Sequence, residues 1–166
     1  MMNISAVMIV KNGAQTIRRS LESLRAFDDV VVYDNGSTDE TVQIARQYPN
    51  VHLIEGYFDG FGTTKNRAAD FSKHDWILSI DSDEVVDEEL LHALQNKELD
   101  NRTIYKVNSI AFYKDIQIRY SGWTHQKLRR LYNKTVTKFN NNFDEVVHLS
   151  NIIYGDKIIN DILDQE

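Results

Sequence analysis

Residues 75–84 read Asp-Trp-Ile-Leu-Ser-Ile-Asp-Ser-Asp-Glu, an apolar run that ends in closely spaced carboxylates. The run 76–80 has the length and composition of a strand buried on both faces of a parallel sheet. Open α/β sheets bind ligands beyond the carboxyl ends of such strands. Asp81 and Asp83 therefore stand where hard oxygens can hold Mg²⁺ or Mn²⁺ and leave coordination positions for phosphates. Because Asp-x-Asp triplets also occur in solvated turns and helix caps, the neighbouring sequence has to decide.

Composition and charge narrow the class of protein. At 166 residues, with 42% hydrophobic and 27% charged residues, the chain is typical of one globular domain. It has no cysteine, which excludes disulfides and thiolate metal sites and favours a reducing compartment. The absence of a long apolar run and of a signal-peptide pattern favours a soluble or membrane-peripheral protein. The net charge of −6 argues against a nucleic-acid partner.

One segment runs against this acidic balance. Residues 114–138 hold seven lysines and arginines and a single aspartate. Such a segment suits a phosphorylated acceptor or anionic lipid headgroups. A solvated hairpin, whose charges serve only solubility, is an equally good interpretation.

Apolar periodicity predicts alternating strands and helices over the first hundred residues. Strands are expected at 4–10, 30–33, 51–54 and 76–80, and helices at about 17–24, 37–48, 65–72 and 87–95. Ser37 and Glu40 match a capping box at the start of the second helix. Three more strands are expected at 105–113, 116–120 and 128–132. The order predicts an α/β fold with a mostly parallel sheet, flanking helices and a β-rich C-terminal half.

Four short polar segments follow these strands or open the next helix. They are Val-Lys-Asn-Gly (10–13), Asp-Asn-Gly-Ser-Thr-Asp (34–39), Gly-Phe-Gly-Thr-Thr-Lys-Asn-Arg-Ala (60–68) and Asp-Ser-Asp (81–83). The first, second and fourth come directly after strands and so lie along one edge of the sheet. A nucleotide cleft is assembled in this way.

In this order and spacing, the four segments resemble the family 2 glycosyltransferases of the GT-A fold, from about Ile4 to His148. The chain resembles in particular the bacterial β-1,4-glucosyltransferases of the lipopolysaccharide or lipooligosaccharide inner core. The resemblance implies one GT-A domain over 1–166, with a nucleotide-sugar-binding half (1–100) and an acceptor-side half (101–166). It also implies an inverting, metal-dependent transferase with a UDP-sugar donor, expected to be UDP-glucose, and a glycolipid acceptor. The expected location is the cytoplasm. The alternative is a peripheral position at the inner face of the cytoplasmic membrane.

The resemblance assigns five residues to the donor side. Asp34 is expected to accept hydrogen bonds from the uracil or ribose. The alternative is that Asp34 only stabilises the turn at Asn35-Gly36, a position where aspartate is common. Lys65 and Arg67 are expected near the base and diphosphate, the alternative being a solvated helix face. Asp81 is expected to contact the ribose, or the metal through water, and Asp83 to bind Mg²⁺ or Mn²⁺ directly.

Two further acidic residues are expected to support this region. Asp39 is expected to cap its own helix and to support the loop before it. Glu84 is expected either to cap a helix or to hold the metal-binding aspartates in position without touching the metal. A calcium loop is excluded, because Val86 stands where an EF-hand requires glycine.

An inverting transfer needs a base that takes the proton from the acceptor hydroxyl. The family commonly has Val-His-Glu here, whereas this chain has Val147-His148-Leu149, so the expected carboxylate is absent. Glu145 is the preferred substitute, with His148 and Asp144 as the next candidates. A packed structural role for His148 stays open.

Three residues are assigned to the acceptor side. Arg130 opens Arg-Leu-Tyr-Asn-Lys, which matches a family segment that follows the acceptor region. Trp123 suits stacking on a sugar face, or an ordinary half-buried core position. His125 falls near where relatives often carry an aspartate.

Other classes of protein fit less well. A phosphotransferase of the haloacid dehalogenase type needs a different continuation after its aspartates, and a dinucleotide oxidoreductase needs Gly-x-Gly-x-x-Gly after the first strand. The stronger alternative is a truncated or inactive nucleotide-sugar-binding domain, because the Val-His-Glu carboxylate is missing and relatives usually continue beyond residue 166. The sequence leaves the donor sugar, acceptor, linkage and oligomeric state open.

Overall fold

The computed structural model describes residues 2–110, 112–113, 116–117, 126–140 and 146–148, with side chains over 2–110 and 127–140. Its elements in chain order are β1 (Ile4–Val10), α1 (Ile17–Ser23), β2 (Val30–Asp34), α2 (Thr41–Ala45), β3 (Val51–Glu55), α3 (Phe61–Asp70), β4 (Trp76–Ser79), α4 (Glu88–Asn96), β5 (Tyr105–Ser109), β6 (Phe112–Tyr113), β7 (Ile116–Gln117), β8 (Gln126–Asn133), β9 (Thr137–Phe139) and β10 (Val146–His148).

Six of these strands form one mixed sheet in the order β3-β2-β1-β4-β8-β5. The first four in that order are parallel to one another, while β8 runs antiparallel to both β4 and β5. The chain places β2 and β3 on one side of β1 and β4 on the other. The topology therefore reverses between β1 and β4, and a ligand crevice is expected beyond their carboxyl ends.

The central strands form because their residues are apolar on both faces, and helices cover each face. All five residues of β2 are buried. One core cluster joins the sheet to α1, α2 and α4, including Leu21, Ile44 and Leu94. The other joins it to α3 and to Phe139 of β9. The predicted α/β class, with a mostly parallel sheet and added C-terminal strands, is confirmed.

Several predicted boundaries are wrong. The second helix covers only Thr41–Ala45, and the residue before it, Glu40, makes no side-chain cap, so the capping box is absent. Ser37 instead forms hydrogen bonds with Asn12 and Asp34 in the loops after β1 and β2. The third helix starts at Phe61, four residues earlier than predicted, because residues 61–64 form its first turn. The hairpin of β9 and β10 was not predicted at all.

None of the helices in the described ranges is both long enough and apolar enough to cross a membrane.

Candidate functional site

The loops that follow β1 and β2 are joined by hydrogen bonds. Asn12 donates its N–H to Ser37 Oγ at 2.8 Å, and its Oδ1 accepts the N–H of Thr38 at 2.8 Å. The N–H of Ala14 donates to Asp39 Oδ2 at 3.1 Å. Asn12 has a φ of 54°, a left-handed conformation that asparagine adopts more readily than most residues. The first two sequence motifs therefore form one fixed surface at the carboxyl edge of the sheet.

Two aspartates hold the β2 loop in shape. Asp34 is buried; its Oδ2 accepts the N–H groups of Gly36 and Ser37, and its Oδ1 accepts the Ser37 hydroxyl. This is the turn-forming role that the sequence left open. Asp39 accepts the N–H and hydroxyl of Thr41, the first residue of α2, and these hydrogen bonds lower the pKa of Asp39. The expected supporting role of Asp39 is confirmed.

The loop after β4 packs directly against the loop after β1. A Cβ added at Gly13 would lie 2.7 Å from Val10 Cγ2 and 3.2 Å from Ser82 Oγ. Ser82 stands between the two candidate metal ligands, so the Asp-Ser-Asp turn and the Asn-Gly turn share the crevice predicted by the topology. A side chain at position 13 would clash with Val10 and crowd Ser82, so glycine favours this close packing of the two loops.

The two aspartates of this turn have different surroundings. Asp81, whose side chain is 43% exposed, lies 3.8 Å from Lys65 Nζ through Oδ1 and 3.2 Å from an Arg130 guanidinium nitrogen through Oδ2. Asp83 is exposed, and its carboxylate makes no hydrogen bond or ion pair with the residues that the structure describes. Of these two aspartates, Asp83 is therefore the one whose carboxylate is not contacted by a cation among the described residues.

Glu84 fixes the geometry of the same turn. Its Oε2 accepts the N–H of Asp81 at 2.9 Å, and its Oε1 accepts a hydrogen bond from Arg130 at 3.0 Å. Burial raises the pKa of Glu84, and the Arg130 charge opposes that rise. The expected supporting role of Glu84 is confirmed.

The two basic residues of α3 are engaged inside the protein. The Lys65 side chain is only 6% exposed, and its ammonium lies 5.0 Å from the centroid of the Phe139 ring. Arg67 makes a bidentate ion pair with Asp59, in which its two terminal nitrogens lie 3.0 and 2.6 Å from the two carboxylate oxygens. Its guanidinium also lies over the Tyr57 ring. Neither belongs to a freely solvated helix face. The Lys65 ammonium lies beside Asp81 in the turn at residues 81–84, which we call the carboxylate turn, whereas Arg67 holds the loop between β3 and α3.

Asn66 has a clear structural role that was not predicted from the sequence. Its Oδ1 accepts the N–H of Phe139 at 2.8 Å, and its Nδ2 donates to the carbonyl of the same residue at 2.9 Å. The side chain thus binds β9 as a neighbouring strand would. The position of Asn66 directly after Lys65, in a segment that resembles the family, is the signal that could have marked it as a candidate. Its partner could not be predicted, because Phe139 lies 73 residues away in the sequence.

A shallow cleft of about 380 Å³ lies along α3, with Asp70 and Lys134 in its lining. Lys134 donates its N–H to the carbonyl of Asp75, just before β4 begins. The cleft therefore extends to the amino end of β4, opposite to the end that carries Asp81, and it is not the predicted nucleotide crevice.

Several predicted residues cannot be placed. Trp123, His125, Asp144 and Glu145 lie outside the described residues. For His148 only the backbone is described: it ends β10 and pairs with Thr137 of β9. Within the described ranges, no three histidine, aspartate or glutamate side chains gather in an arrangement that could hold a metal ion by themselves.

The comparisons with known proteins agree with this geometry. A family model described as "Glycosyl transferase family 2" matches residues 5–163, so the chain belongs to glycosyl transferase family 2. An uncharacterized glycosyltransferase of Rickettsia felis is 31% identical over 94% of this chain and 56% of its own length. A similar protein of Rickettsia bellii is 32% identical over 92% of this chain and 53% of its own length. The chain thus spans about half the length of these relatives.

Solved structures show the same fold. TarS of S. aureus in complex with UDP superimposes with a TM-score of 0.58 at 20% identity, covering 87% of this chain and 52% of that one. In its complex with UDP-GlcNAc the match has a TM-score of 0.50 at 29% identity, over 55% of this chain and 29% of that one. The fold is therefore the GT-A fold, as the sequence predicted.

Proposed function

We propose that this chain transfers a sugar from a nucleotide-sugar donor to an acceptor hydroxyl. The observation that carries the proposal is the position of Asp81 and Asp83 directly after β4, in contact with the β1 loop at the point where the sheet topology reverses. Donor nucleotides bind at such switch points in open α/β sheets. Family membership supports the same reaction class.

The donor site uses the chain's residues in two ways. Lys65, whose ammonium lies 3.8 Å from Asp81, faces the diphosphate. Asp34 and Arg67 act through the loops that they hold, because their polar atoms are already engaged by Ser37 and Asp59. These two residues shape the surface on which the nucleoside lies.

The carboxylate turn fits Mg²⁺ or Mn²⁺. Such ions take one or two protein carboxylates and fill their remaining positions with substrate phosphate and water, so three protein ligands are not required. Asp83 supplies an exposed, unpaired carboxylate, and Asp81 contributes through water or contacts the ribose. When bound, the ion neutralises negative charge that develops on the leaving diphosphate.

The acceptor side rests on the sequence resemblance. UDP-glucose is the proposed donor, and an inner-core glycolipid the proposed acceptor, reached from the cytoplasm with peripheral contact at the membrane. The base that takes the acceptor proton comes from the segment around β10, with Glu145 first and His148 and Asp144 as alternatives. In support, β10 pairs with β9, which Asn66 fastens to the helix that carries Lys65.

The test combines calorimetry and turnover. The protein is titrated with UDP and UDP-glucose in Mn²⁺, and UDP release is then measured with and without a heptose-containing lipooligosaccharide acceptor. Asp83→Asn is compared with Glu89→Gln, which removes one negative charge from an exposed position in the first turn of α4. We expect donor binding that Asp83→Asn weakens and Glu89→Gln leaves unchanged, and release of UDP that depends on acceptor.

Each outcome has a distinct meaning. Donor binding without acceptor-dependent release would favour the alternative of a donor-binding domain that lacks transferase activity. A protein that binds neither UDP nor UDP-glucose in Mn²⁺ would contradict the proposed function.

A further inference from the structure

Arg130 contacts two residues of the carboxylate turn, Asp81 and Glu84. It belongs to β8, where its neighbour Leu131 pairs with Leu78 of β4, so its side chain starts beside the last residues of that strand. One guanidinium nitrogen lies 3.2 Å from Asp81 Oδ2 and 3.0 Å from Glu84 Oε1. The side chain is only 12% exposed, so the guanidinium is held in a defined place.

A second cation reaches the same aspartate from α3. Lys65 Nζ lies 3.8 Å from Asp81 Oδ1, while Arg130 contacts Oδ2. The carboxylate of Asp81 is therefore shared between two largely buried positive charges supplied by different elements. A metal ion that bound Asp81 directly would have to compete with both, because like charges around one carboxylate repel each other.

A metal site built on both aspartates would need Asp81 and Asp83 to be free for the ion. Asp81 is instead already contacted by the cations Lys65 and Arg130. Asp81 and Glu84 both contact the Arg130 guanidinium, and Asp81 also contacts the Lys65 ammonium, so these carboxylates hold the cations in place. The open face of Asp81, which is 43% exposed, marks where solvent or ligand reaches this cluster. A ligand arriving there meets two oriented cations.

We propose that Asp81 positions Lys65 and Arg130 as a pair of cations that binds the donor diphosphate directly, and that Asp83, not Asp81, is the one of these two carboxylates that bonds directly to the metal. Arg130 thus belongs to donor binding rather than to the acceptor side. The inference rests on the proposed function. Its distinctive consequence is that a nucleoside diphosphate binds this protein measurably without any divalent metal, because arginine and lysine recognise phosphate oxygens on their own.

The test is calorimetry with UDP in excess EDTA, repeated in Mn²⁺, on the wild-type protein, Arg130→Gln and Arg129→Gln. Arg129 is a matched control: it carries the same charge on the same strand, but among the described residues the cations in contact with Asp81 are Lys65 and Arg130. We expect metal-free UDP affinity to fall by at least about tenfold in Arg130→Gln, the scale for losing a charge-assisted contact. Arg129→Gln should stay within about twofold, as expected for a charge without direct contact.

A second measurement does not depend on the fold of a variant. Inorganic pyrophosphate is titrated against UDP bound to the wild-type protein in EDTA, and displacement of UDP is expected. Equal metal-free affinities of the wild type and Arg130→Gln, no displacement by pyrophosphate, or wild-type binding only in Mn²⁺ would each overturn the inference while leaving the proposed function standing. Failure of wild-type binding in Mn²⁺ as well would instead overturn the proposed function.

Discussion

The side chain of Asn66 joins the donor-side helix to the C-terminal hairpin, and Asn66→Ala tests this connection. The substitution removes an acceptor 2.8 Å from the Phe139 nitrogen and a donor 2.9 Å from the Phe139 oxygen. Phe139 is 2% exposed, and its ring packs edge-on against Tyr132 at 5.6 Å. Water therefore cannot easily replace the lost partners.

The expected loss of stability follows from these two hydrogen bonds. Each contributes about 0.5–1.5 kcal/mol net, and a buried group left without a partner adds to the cost, so the free energy of unfolding should fall by about 1–3 kcal/mol. Alanine is the better helix former, which offsets a few tenths of a kcal/mol. For a protein of this size, each kcal/mol corresponds to a melting shift of about 2–4 °C.

Urea unfolding followed by circular dichroism measures the effect. Asn96→Ala is the matched control, because Asn96 is exposed in α4 and donates only to the carbonyl of His92 in its own helix. That variant should change the unfolding free energy by less than about 0.5 kcal/mol. Equal stabilities of Asn66→Ala and Asn96→Ala would show that Asn66 does not hold β9, and the proposed link between the two halves would fail.

Three further predictions concern individual carboxylates. Asp83→Asn should weaken the Mn²⁺-dependent part of UDP binding by about tenfold or more and leave the metal-free part unchanged, as calorimetry with and without EDTA would show; an equal effect on both parts would contradict the assignment. Asp34→Asn should lower the melting temperature and weaken UDP, CDP and GDP alike, because Asp34 holds the loop; a loss confined to UDP, with normal melting, would instead show direct reading of the base. Hydrogen bonds from Lys73, then from His74, lower the pKa of Asp28 to about 2. The stability that Asp28 contributes, about 1 kcal/mol after allowance for solvent screening, is therefore complete above about pH 4 and lost as the pH falls toward about 2. Urea unfolding of the wild type and Asp28→Asn across this range should converge at the acid end, and a constant difference would refute the linkage.

The sequence predicted the parallel core of the fold because the responsible signal is local. Continuous apolar runs identify strands buried on both faces, and their alternation with helical periodicity leaves few topologies. The start of α2 was mispredicted because Ser37, which suits a helix cap, donates instead to Asp34 across the preceding turn. Serine and aspartate bond to nearby backbone in both settings, so the sequence could not distinguish them.

The contacts of the site were harder to predict, because they join distant segments. The basic segment was expected to meet a phosphorylated acceptor, anionic lipid headgroups or solvent, yet two of its cations also bind other segments of the chain. Lys134 donates to the carbonyls of Ala69 and Ser72 at the end of α3. Arg130 contacts Asp81 across 49 residues of sequence. Only the pairing of β8 with β4 brings these groups together, and no local pattern encodes that pairing.

A crystal structure of this protein soaked with UDP and Mn²⁺ would test the donor site most directly. We expect UDP in the crevice between β1 and β4, the metal ion bonded to Asp83, and diphosphate oxygens within hydrogen-bond distance of Arg130 and Lys65, about 2.7–3.2 Å. Density for UDP in the cleft along α3, or for a metal ion bonded to Asp81 with Arg130 turned away from the diphosphate, would contradict this expectation.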